Sequence, residues 1–394
     1  MARLIENNKG AIMLALLFRL KTSRWGLLLF IVLLSSCGPI NGGASGSGGG
    51  VTEEGRVYAL VHEEAAVARV AQAARALGYT PETAQQLTAL GLWMVPVDLP
   101  SPVTGSEAIQ AIEASVPEAT VGVNHAYRLQ VTGPAHGSLM NFANTLIAWP
   151  NEPCRARRKI GLIDGPVDAS IGALKTVDVR AARFVGTDNP EAARHGTEVA
   201  AILSDPTRLQ NVELYSANVV ASDPTGDPVA GAAEMVQALD WLASSDVKIV
   251  SVSLAGPYNK LLDLAVKAAS ARGVQIVAAV GNSGPSAAPQ FPAAFPDVVA
   301  VTAVDARERI FRSAGRGTHV DIAAAGVDVF VPTGANGRFV SGTSVATPMV
   351  AASLAAQDRL DPKALFAAAR DLGPRGKDTV FGHGLLQAAS VCGG

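Results

Sequence analysis

Residues 342–352 read Gly-Thr-Ser-Val-Ala-Thr-Pro-Met-Val-Ala-Ala, which sets Ser344 between small residues directly ahead of an apolar run. The pattern predicts that a helix begins here and that the serine hydroxyl faces a cleft instead of a core. The first N–H groups of a helix lack partners, so negative charge that develops nearby is favoured. The stretch therefore places Ser344 where a nucleophile would stand. An ordinary serine cap at the start of a helix is the alternative that these residues alone leave open.

The composition is that of a folded globular protein. The chain has 394 residues, of which 48% are hydrophobic and 17% charged. Its 32 basic and 34 acidic residues give a formal charge of −2, without a Lys/Arg cluster that could follow phosphates, so we expect no nucleic-acid partner. The three cysteines, Cys37, Cys154 and Cys392, are too few and too far apart for a zinc site. No Asp-rich calcium loop is present either, and we expect no metal and no cofactor.

Residues 1–37 have the features of a signal peptide. Basic residues precede the apolar run 25–34, which is too short to cross a bilayer core of about 30 Å as a helix. The run is followed by Leu34-Ser35-Ser36-Cys37, which resembles the lipobox of bacterial lipoproteins. The resemblance implies an exported protein with a lipid attached to Cys37, anchored to the membrane of the bacterial envelope, at the outer membrane or cell surface because Gly38 comes next. Ordinary secretory cleavage beside a chance cysteine is the alternative.

Two folded domains are predicted after the signal. Residues 38–54 are rich in Gly and Ser and predict a flexible tether. Residues 55–131 show a βαββαβ order, which predicts a small α+β ferredoxin-like domain. Residues 132–158 form a linker and the entry to the next domain. In residues 159–394, apolar strand-like runs alternate with amphipathic helices, which predicts an α/β domain with a mostly parallel sheet covered by helices on both faces.

The predicted elements can be given by residue number. In the N-terminal domain the predicted strands are 56–62, 87–90, 92–98 and 119–129, and the predicted helices are 63–77 and 106–116. In the larger domain the predicted strands are 159–163, 213–220, 248–254, 275–280, 298–304 and 320–324, and the predicted helices are 196–203, 231–243, 261–272, 345–357 and 362–370.

Three further residues complete a candidate catalytic set with Ser344, because a serine hydroxyl needs a base and the base needs an orienting partner. His195 stands at the head of a predicted helix, and Asp164 stands at the end of a buried strand, where an unpaired charge is costly. Asn282 follows another strand, and its amide can donate to an oxyanion. Asp164 has an ordinary alternative as a turn or cap residue, and Asn282 has one as a turn residue. Because ligands of parallel sheets bind beyond the carboxyl ends of the strands, we expect the four side chains to border one cleft.

With the chain order Asp164, His195, Asn282, Ser344, the sequence resembles the subtilisin-like serine proteases, also called subtilases or peptidase family S8. The resemblance implies a subtilisin-like fold and a serine endopeptidase that acts on protein or peptide substrates outside the cytoplasm through an acyl-enzyme intermediate. It implies that Asp164 orients His195, that His195 acts as general base and then acid, and that Ser344 attacks the scissile carbonyl. Asn282 and the backbone N–H of Ser344 would form the oxyanion hole.

The resemblance also implies a substrate-binding strand and a propeptide. Residues 251–256, Ser-Val-Ser-Leu-Ala-Gly, are similar to the segment with which the family pairs an extended peptide, which implies that Ser253, Leu254, Ala255 and Gly256 bind substrate. Binding of this kind uses mainly the peptide backbone, so we expect broad preference. The 55–131 domain is similar to the family's inhibitory propeptide (inhibitor I9). Its own prodomain is therefore an expected partner, which the enzyme itself would cut.

Two features of the sequence leave other possibilities open. Asp164 is followed by Gly165-Pro166, where the family usually has Ser or Thr and then Gly, so one expected hydroxyl is missing. A non-catalytic or permanently prodomain-capped binding protein is therefore the alternative function. An esterase of the α/β-hydrolase type is disfavoured, because that fold orders its residues Ser, acid, His.

Cys154 and Cys392 bracket the larger domain and either form a disulfide or remain two free thiols.

Overall fold

The computed structural model describes residues 50–130, 142–333 and 337–392. The predicted signal peptide with its lipobox, the tether up to residue 49 and residues 131–141 of the predicted linker lie outside the described residues. Within the described ranges, no helix combines the length and the apolar character that a bilayer span requires.

The N-terminal domain contains short strands and two helices. Its strands are β1 (Arg56–Val61), β2 (Thr80–Pro81), β3 (Gln85–Leu87), β4 (Leu92–Asp98), β5 (Thr120–Gly122) and β6 (Ala126–Leu129), and its helices are α1 (Glu64–Ala76) and α2 (Gly105–Ser115).

The larger domain follows with these elements. Its strands are β7 (Cys154–Arg155), β8 (Ile160–Asp164), β9 (Asp178–Arg183), β10 (Leu209–Gln210), β11 (Glu213–Asn218), β12 (Val220–Ser222), β13 (Pro228–Gly231), β14 (Ile249–Val252), β15 (Leu254–Ala255), β16 (Gln275–Ala279), β17 (Val298–Val304), β18 (Ile322–Ala325), β19 (Val329–Val331) and β20 (Arg338–Val340). Its helices are α3 (Phe142–Leu146), α4 (Pro190–Leu203), α5 (Ala232–Ser244), α6 (Lys260–Ala271), α7 (Thr343–Ala356) and α8 (Pro362–Ala368), with a 3-10 helix at Gly172–Thr176.

The centre of the larger domain is a parallel sheet of seven strands in the order β18-β17-β16-β14-β8-β11-β9. Both of its faces are covered, which explains the nearly continuous apolar strands. In β8, for example, Ile160 and Leu162 pack in the core that includes α4 and α7, whereas Ile163 packs in the core that includes α5 and α6. The predicted α/β fold with a mostly parallel, helix-covered sheet is confirmed.

Helix α4 begins at Pro190, six residues before its predicted start at residue 196. Asn189 caps it by accepting hydrogen bonds from the N–H groups of Glu191 and Ala192, and the proline occupies the first helical position. The predicted start was too late because the first turn carries no apolar run. His195 consequently lies in the second turn of the helix and not at its head.

Strand predictions fail where a strand lacks an apolar run or changes partner. Strand β9 was not predicted, since it is an edge strand with exposed charged residues. The predicted strand 87–90 is wrong, because β3 ends at Leu87 and a turn follows. The predicted strand 119–129 is divided in two. Its first half, β5, pairs with β1, whereas its second half, β6, leaves the domain and pairs antiparallel with β13 and β15.

The ends of the larger domain are joined covalently. Cys154 and Cys392 form a disulfide with their Cα atoms 5.1 Å apart, across a sequence separation of 238 residues. Of the two alternatives for these cysteines, the structure contains the bonded one. A crosslink that closes so long a loop restricts the unfolded chain and thereby stabilises the folded one.

The small sheet of the N-terminal domain is covered on both faces. In β1, Val57, Ala59 and Val61 pack beneath α1 and α2, whereas Tyr58 and Leu60 point to the other face and enter the core that contains α5 and α6 of the larger domain. This alternation follows from the two-residue period of a strand. The two domains therefore share one hydrophobic interface, and burial of its apolar area favours their association.

Polar contacts accompany this interface. The Asp240 carboxylate on α5 accepts a hydrogen bond from the backbone N–H of Leu90 at 2.9 Å. On the neighbouring helix, the Asn259 side chain, which caps α6, donates to the carbonyl oxygen of Val123 at 2.9 Å. Both contacts satisfy polar groups that association would otherwise leave buried without partners.

Two carboxyl groups meet at the same interface. The Nδ2 of Asn124 lies 3.1 Å from Oε2 of Glu234 in the first turn of α5 and 3.5 Å from Oε2 of Glu53. The hydroxyl of Tyr58 donates to Glu53. Burial raises the pKa of the Glu234 carboxyl above its ordinary value of 4.5; the Asn124 hydrogen bond opposes this shift, and the nearby Glu53 carboxyl adds to it.

We predict that Glu234→Gln makes the folded chain increasingly more stable than the wild type as the pH rises above about 4.5. A carboxyl with a raised pKa in the folded state contributes stability that is present below its unfolded pKa and is lost as the pH rises through its folded pKa. Glutamine imitates the neutral carboxyl at every pH. Urea titrations between pH 4 and 8 measure the free energy of unfolding, with the exposed Glu64→Gln on α1 as control. A constant difference between Glu234→Gln and wild type across this range would contradict the prediction.

Candidate active site

Asp164 and His195 form a buried pair at the carboxyl end of the sheet. Asp164 ends β8 and is fully buried, and His195 on α4 is 3% exposed. Nδ1 of His195 lies 2.7 Å from Oδ1 of Asp164, which also accepts the backbone N–H of Gly165 at 2.7 Å. A carboxylate at this position fixes the imidazole ring and its tautomer, leaving Nε2 as a proton acceptor.

Glycine permits the approach of helix and strand that creates this pair. A Cβ atom at residue 165 would lie 2.1 Å from the carbonyl oxygen of Ala192 on α4. A Cβ atom at Gly196 would lie 2.4 Å from the carbonyl oxygen of Gly165. Neither clash can be relieved by a side chain, because both partners are backbone atoms. Small residues at both positions therefore bring His195 within hydrogen-bonding distance of Asp164.

Two atoms of the pair have no hydrogen-bond partner among the described residues. Oδ2 of Asp164 is one of them, which agrees with the absence of a hydroxyl side chain directly after Asp164. Nε2 of His195 is the other. A general base needs an imidazole nitrogen that is free to accept a proton, and Nε2 of His195 is such an atom.

Ser344 is the second residue of α7 and is fully buried. The residue at the cap position of α7 is Gly342, and no side chain caps the helix, so the alternative of an ordinary serine cap does not hold. Ser344 Oγ donates a hydrogen bond of 2.5 Å to the carbonyl oxygen of Gln130. Gly342 leaves room for this carbonyl: its φ is 154°, and a Cβ atom would lie 2.5 Å from the same oxygen.

Asn282 lies just beyond β16 and faces the same carbonyl. Its Nδ2 donates to the Gln130 oxygen at 2.8 Å. Its Oδ1 accepts the backbone N–H of Thr343 at 3.2 Å and the Thr343 hydroxyl at 2.9 Å, which fixes the orientation of the amide. Within the described residues, the backbone N–H of Ser344 makes no hydrogen bond to this carbonyl, so the predicted second oxyanion donor is not engaged here.

The residues before Gln130 lie as a strand in the cleft. Strand β6 is the third strand of a four-stranded sheet with the order β12-β13-β6-β15. Against β15 it pairs antiparallel, with Leu254 opposite Leu129 and Ala255 opposite Arg128. The N–H of Gln130 then donates to the carbonyl oxygen of Ser253 at 3.2 Å.

Gly256, the last of the predicted substrate-binding residues, pairs instead with Phe291 in an isolated antiparallel bridge. It also contacts β6, because a Cβ atom on Gly256 would lie 2.6 Å from the ring of Tyr127. Ser253, Leu254, Ala255 and Gly256 thus all lie beside the chain's own segment 127–130.

Sequence reasoning missed Gln130. This residue is 7% exposed, and its carbonyl is the group on which Ser344 and Asn282 converge. Nothing in its immediate neighbours marks it. The only usable signal was the overlong predicted strand 119–129, whose second half leads directly into the cleft.

His195 borders a cavity on the side of β6. A cavity of about 210 Å³ lies beside His195, with Arg128 and Leu129 of β6 and Arg338 of the larger domain in its wall. In the described ranges, no group of three or more His, Cys, Asp or Glu residues could hold a metal ion.

The arrangement contains a hydroxyl at a carbonyl group, an amide donor on the carbonyl oxygen, and an imidazole oriented by a carboxylate, which are the groups that acyl transfer requires. No hydrogen bond joins His195 Nε2 to Ser344, whose hydroxyl bonds to Gln130 instead. Residues 159–392, more than half of the chain, match the model of the Subtilase family, Peptidase S8.

Individual proteins agree with this match. Subtilisin DY from Bacillus licheniformis is 34% identical over 214 residues, which are 51% of this chain and 76% of that protein. The minor extracellular protease Epr from Bacillus subtilis (strain 168) is 31% identical over 211 residues, 49% of this chain but only 32% of that protein. The crystal structure of fervidolysin from Fervidobacterium pennivorans, a keratinolytic enzyme related to subtilisin, has the same fold at 18% identity, with a TM-score of 0.68 over 88% of this chain and 62% of that one. The chain belongs to the subtilase family of serine-type endopeptidases.

Proposed function

We propose that the chain hydrolyses peptide bonds through the triad Asp164, His195 and Ser344, and that the first bond it cuts is its own, between Gln130 and Val131. One observation carries the proposal: the carbonyl oxygen of Gln130 receives hydrogen bonds from Asn282 Nδ2 at 2.8 Å and Ser344 Oγ at 2.5 Å. The segment before it is held as a β-strand, which is how an extended peptide is bound for cleavage.

Each residue has a defined part in the reaction. Ser344 Oγ turns from the carbonyl oxygen to the carbonyl carbon and forms a bond to it, while its proton passes to Nε2 of His195. Asp164 stabilises the imidazolium that results. Asn282 Nδ2 donates to the oxyanion. The imidazolium then gives its proton to the leaving amine, the C–N bond breaks, and water hydrolyses the acyl-enzyme by the same route.

The domain up to residue 130 acts as a propeptide in this proposal. It fills the cleft through β6 and covers α5 and α6 through its sheet, so other substrates are excluded while it stays bound. Substrates that replace it would be protein segments able to extend between β13 and β15.

The filled cleft also favours a second candidate function, a permanently capped binding protein. In such a protein the Ser344 hydroxyl would only donate its hydrogen bond to Gln130, and His195 would never accept a proton from it. Cleavage of the chain distinguishes the two functions, since a capped binding protein stays intact.

We further propose that the protein is exported and lipid-anchored through Cys37. This rests on the sequence, in which an apolar run ends at Leu-Ser-Ser-Cys and a Gly/Ser-rich stretch follows. Its substrates would then be proteins at the bacterial envelope.

We predict that Ser344→Ala leaves the chain uncleaved after residue 130 and lowers peptide turnover by about 10⁴- to 10⁶-fold, because no nucleophile remains. Mass spectrometry of the purified chain measures processing. Ser353→Ala is the matched control, since it removes a buried hydroxyl from the same helix that bonds only within the helix. Processing of the Ser344→Ala chain at the wild-type rate would refute the proposed nucleophile.

For Asn282→Asp, we expect kcat to fall by about 10²- to 10³-fold with a smaller change in KM. The substitution keeps an acceptor for Thr343 but removes the N–H donor from the oxyanion. Steady-state kinetics on an extended peptide provide the measurement, and Asn211→Asp at an exposed position controls for the added charge. Equal losses in kcat for the two variants would argue against an oxyanion role for Asn282.

Cys37→Ser should convert a detergent-phase protein into an aqueous-phase one, because the thiol that carries the lipid is lost. Phase partitioning and the mass of the mature N-terminal peptide test this in the producing cell, with Ser45→Ala in the tether as control. A wild-type N-terminus at a residue other than Cys37, without added lipid mass, would rule out the anchor.

A further inference from the structure

Helix α4 carries a buried acidic side chain close to His195. Glu198 lies three residues after His195, and residues at this spacing are neighbours on the surface of a helix. Its side chain is 3% exposed, as is that of His195. A carboxylate buried to this extent is costly unless a partner meets it, so the position of Glu198 requires a cation or other donors nearby.

Arg338 is the partner of Glu198. Its Nε donates to one carboxylate oxygen of Glu198, and its Nη2 donates to the other at 2.7 Å. An arginine–carboxylate pair of this bidentate kind is directional, because two parallel hydrogen bonds constrain the angle between the groups as well as their distance. Since Arg338 is the first residue of β20, the pair joins the helix that carries His195 to that strand.

Strand β20 leads directly to Ser344. Two residues follow the strand before α7 begins, and Ser344 is the second residue of α7. The junction is itself held, because the backbone N–H of Gly342 donates to the carbonyl oxygen of Gly326 at 2.8 Å. A shift of β20 relative to α4 would therefore move Ser344 relative to His195.

Apolar packing holds α4 on one side only. There α4 and α7 share a hydrophobic core through residues such as Val199 and Val345. On the side of β6, by contrast, His195 and Arg338 both line the cavity of about 210 Å³. Close packing fixes positions only where atoms touch, so on this side the ion pair with Glu198 is a direct link between α4 and β20.

We propose that Glu198 and Arg338 are positioning residues for the reaction. Their ion pair holds α4 against β20 and thereby sets His195 relative to Ser344. In the structure Nε2 of His195 has no partner and Ser344 bonds to Gln130, so proton transfer requires the two side chains to come within hydrogen-bonding distance. A displacement of about 1 Å in such a site can slow a reaction about 100-fold. This inference rests on the proposed function, because it takes His195 as the base and Ser344 as the nucleophile.

The test removes the ion pair without leaving a buried charge. In Glu198→Met/Arg338→Met, both charged groups are replaced by apolar side chains, a change that is often neutral or stabilising for a fold. The double variant should cut the full chain after residue 130 about 10- to 100-fold more slowly than the wild type, measured by mass spectrometry over time. Because this segment already lies in the cleft, the first-order rate reports on the reaction and not on substrate binding.

Three further measurements separate positioning from a purely structural role. The processed double variant should show a lower kcat on an extended peptide, with KM close to the wild-type value. The rate at which a fluorophosphonate labels Ser344 should fall by a similar factor, since labelling needs an activated hydroxyl but no bound peptide. Arg338→Lys keeps a charge for Glu198 but loses the bidentate geometry, so its rates should lie between those of the wild type and the double variant.

Glu308→Met/Arg370→Met is the matched control. Arg370 donates to both carboxylate oxygens of Glu308, at 2.9 and 2.7 Å, so the control removes the same kind of pair from segments that carry no residue of the triad. It should keep the wild-type rates of self-cleavage and labelling. Urea titration of each variant, made together with Ser344→Ala, checks that the fold is intact.

The outcomes separate this inference from the function on which it rests. Wild-type rates of self-cleavage and labelling in both Glu198→Met/Arg338→Met and Arg338→Lys, or a loss confined to KM, would overturn the positioning role and leave the peptidase standing. A wild-type chain that neither cuts itself nor reacts with the fluorophosphonate would overturn the proposed function, and this inference with it.

Discussion

The hydrogen bond between Asp164 and His195 joins the end of a buried strand to a helix on the sheet's surface, and the rest of the site is arranged around it. Burying a carboxylate and an imidazole is costly unless they pair, so neither residue could occupy its place alone. The pairing in turn requires the close approach of α4 to β8, which Gly165 and Gly196 allow. The pairing that the buried Asp164 and His195 require is therefore possible because Gly165 and Gly196 have no side chains.

The same edge of the sheet holds Asn282 beyond β16 and Ser344 at the start of α7. Parallel strands all end at this edge, so residues 118 and 180 positions away from Asp164 in the sequence come together without any local contact between their segments. Asn282 is fixed by Thr343, the neighbour of Ser344, so the amide of Asn282 and the hydroxyl of Ser344 are positioned relative to each other. The surroundings of the Gln130 carbonyl are thus formed jointly by the end of a strand and the start of a helix.

How much of this could be predicted depends on which residues carry the signal. Val298–Val304 and the other long apolar strands are buried on both faces, so their apolar composition alone identifies them. The parallel sheet could be predicted from these strands. Asp164 and Asn282 could be proposed because each follows an apolar strand, and His195 and Ser344 because each precedes an apolar helical run. Strand β9 could not be predicted, since it has exposed charged residues and no apolar run. Its place in the sheet depends on its pairing with β11. The start of α4 could have been predicted, because Asn189 followed by Pro190 is a typical helix start.

Gln130 shows a different limit. Its place depends on β6 leaving one sheet and joining another, and strand pairing across domains has no local sequence signal. The same contacts hold residues 127–130 of the N-terminal domain in the cleft beside Ser344 and Asn282. Besides the covalent link, the apolar face of β1, the β6 pairings and the Asn124 cluster hold the N-terminal domain against the larger one. Cutting the chain after residue 130, as in the proposed function, would leave these contacts in place. At this interface, burial raises the pKa of the Glu234 carboxyl, so ionisation of that group as the pH rises is unfavourable in the folded chain.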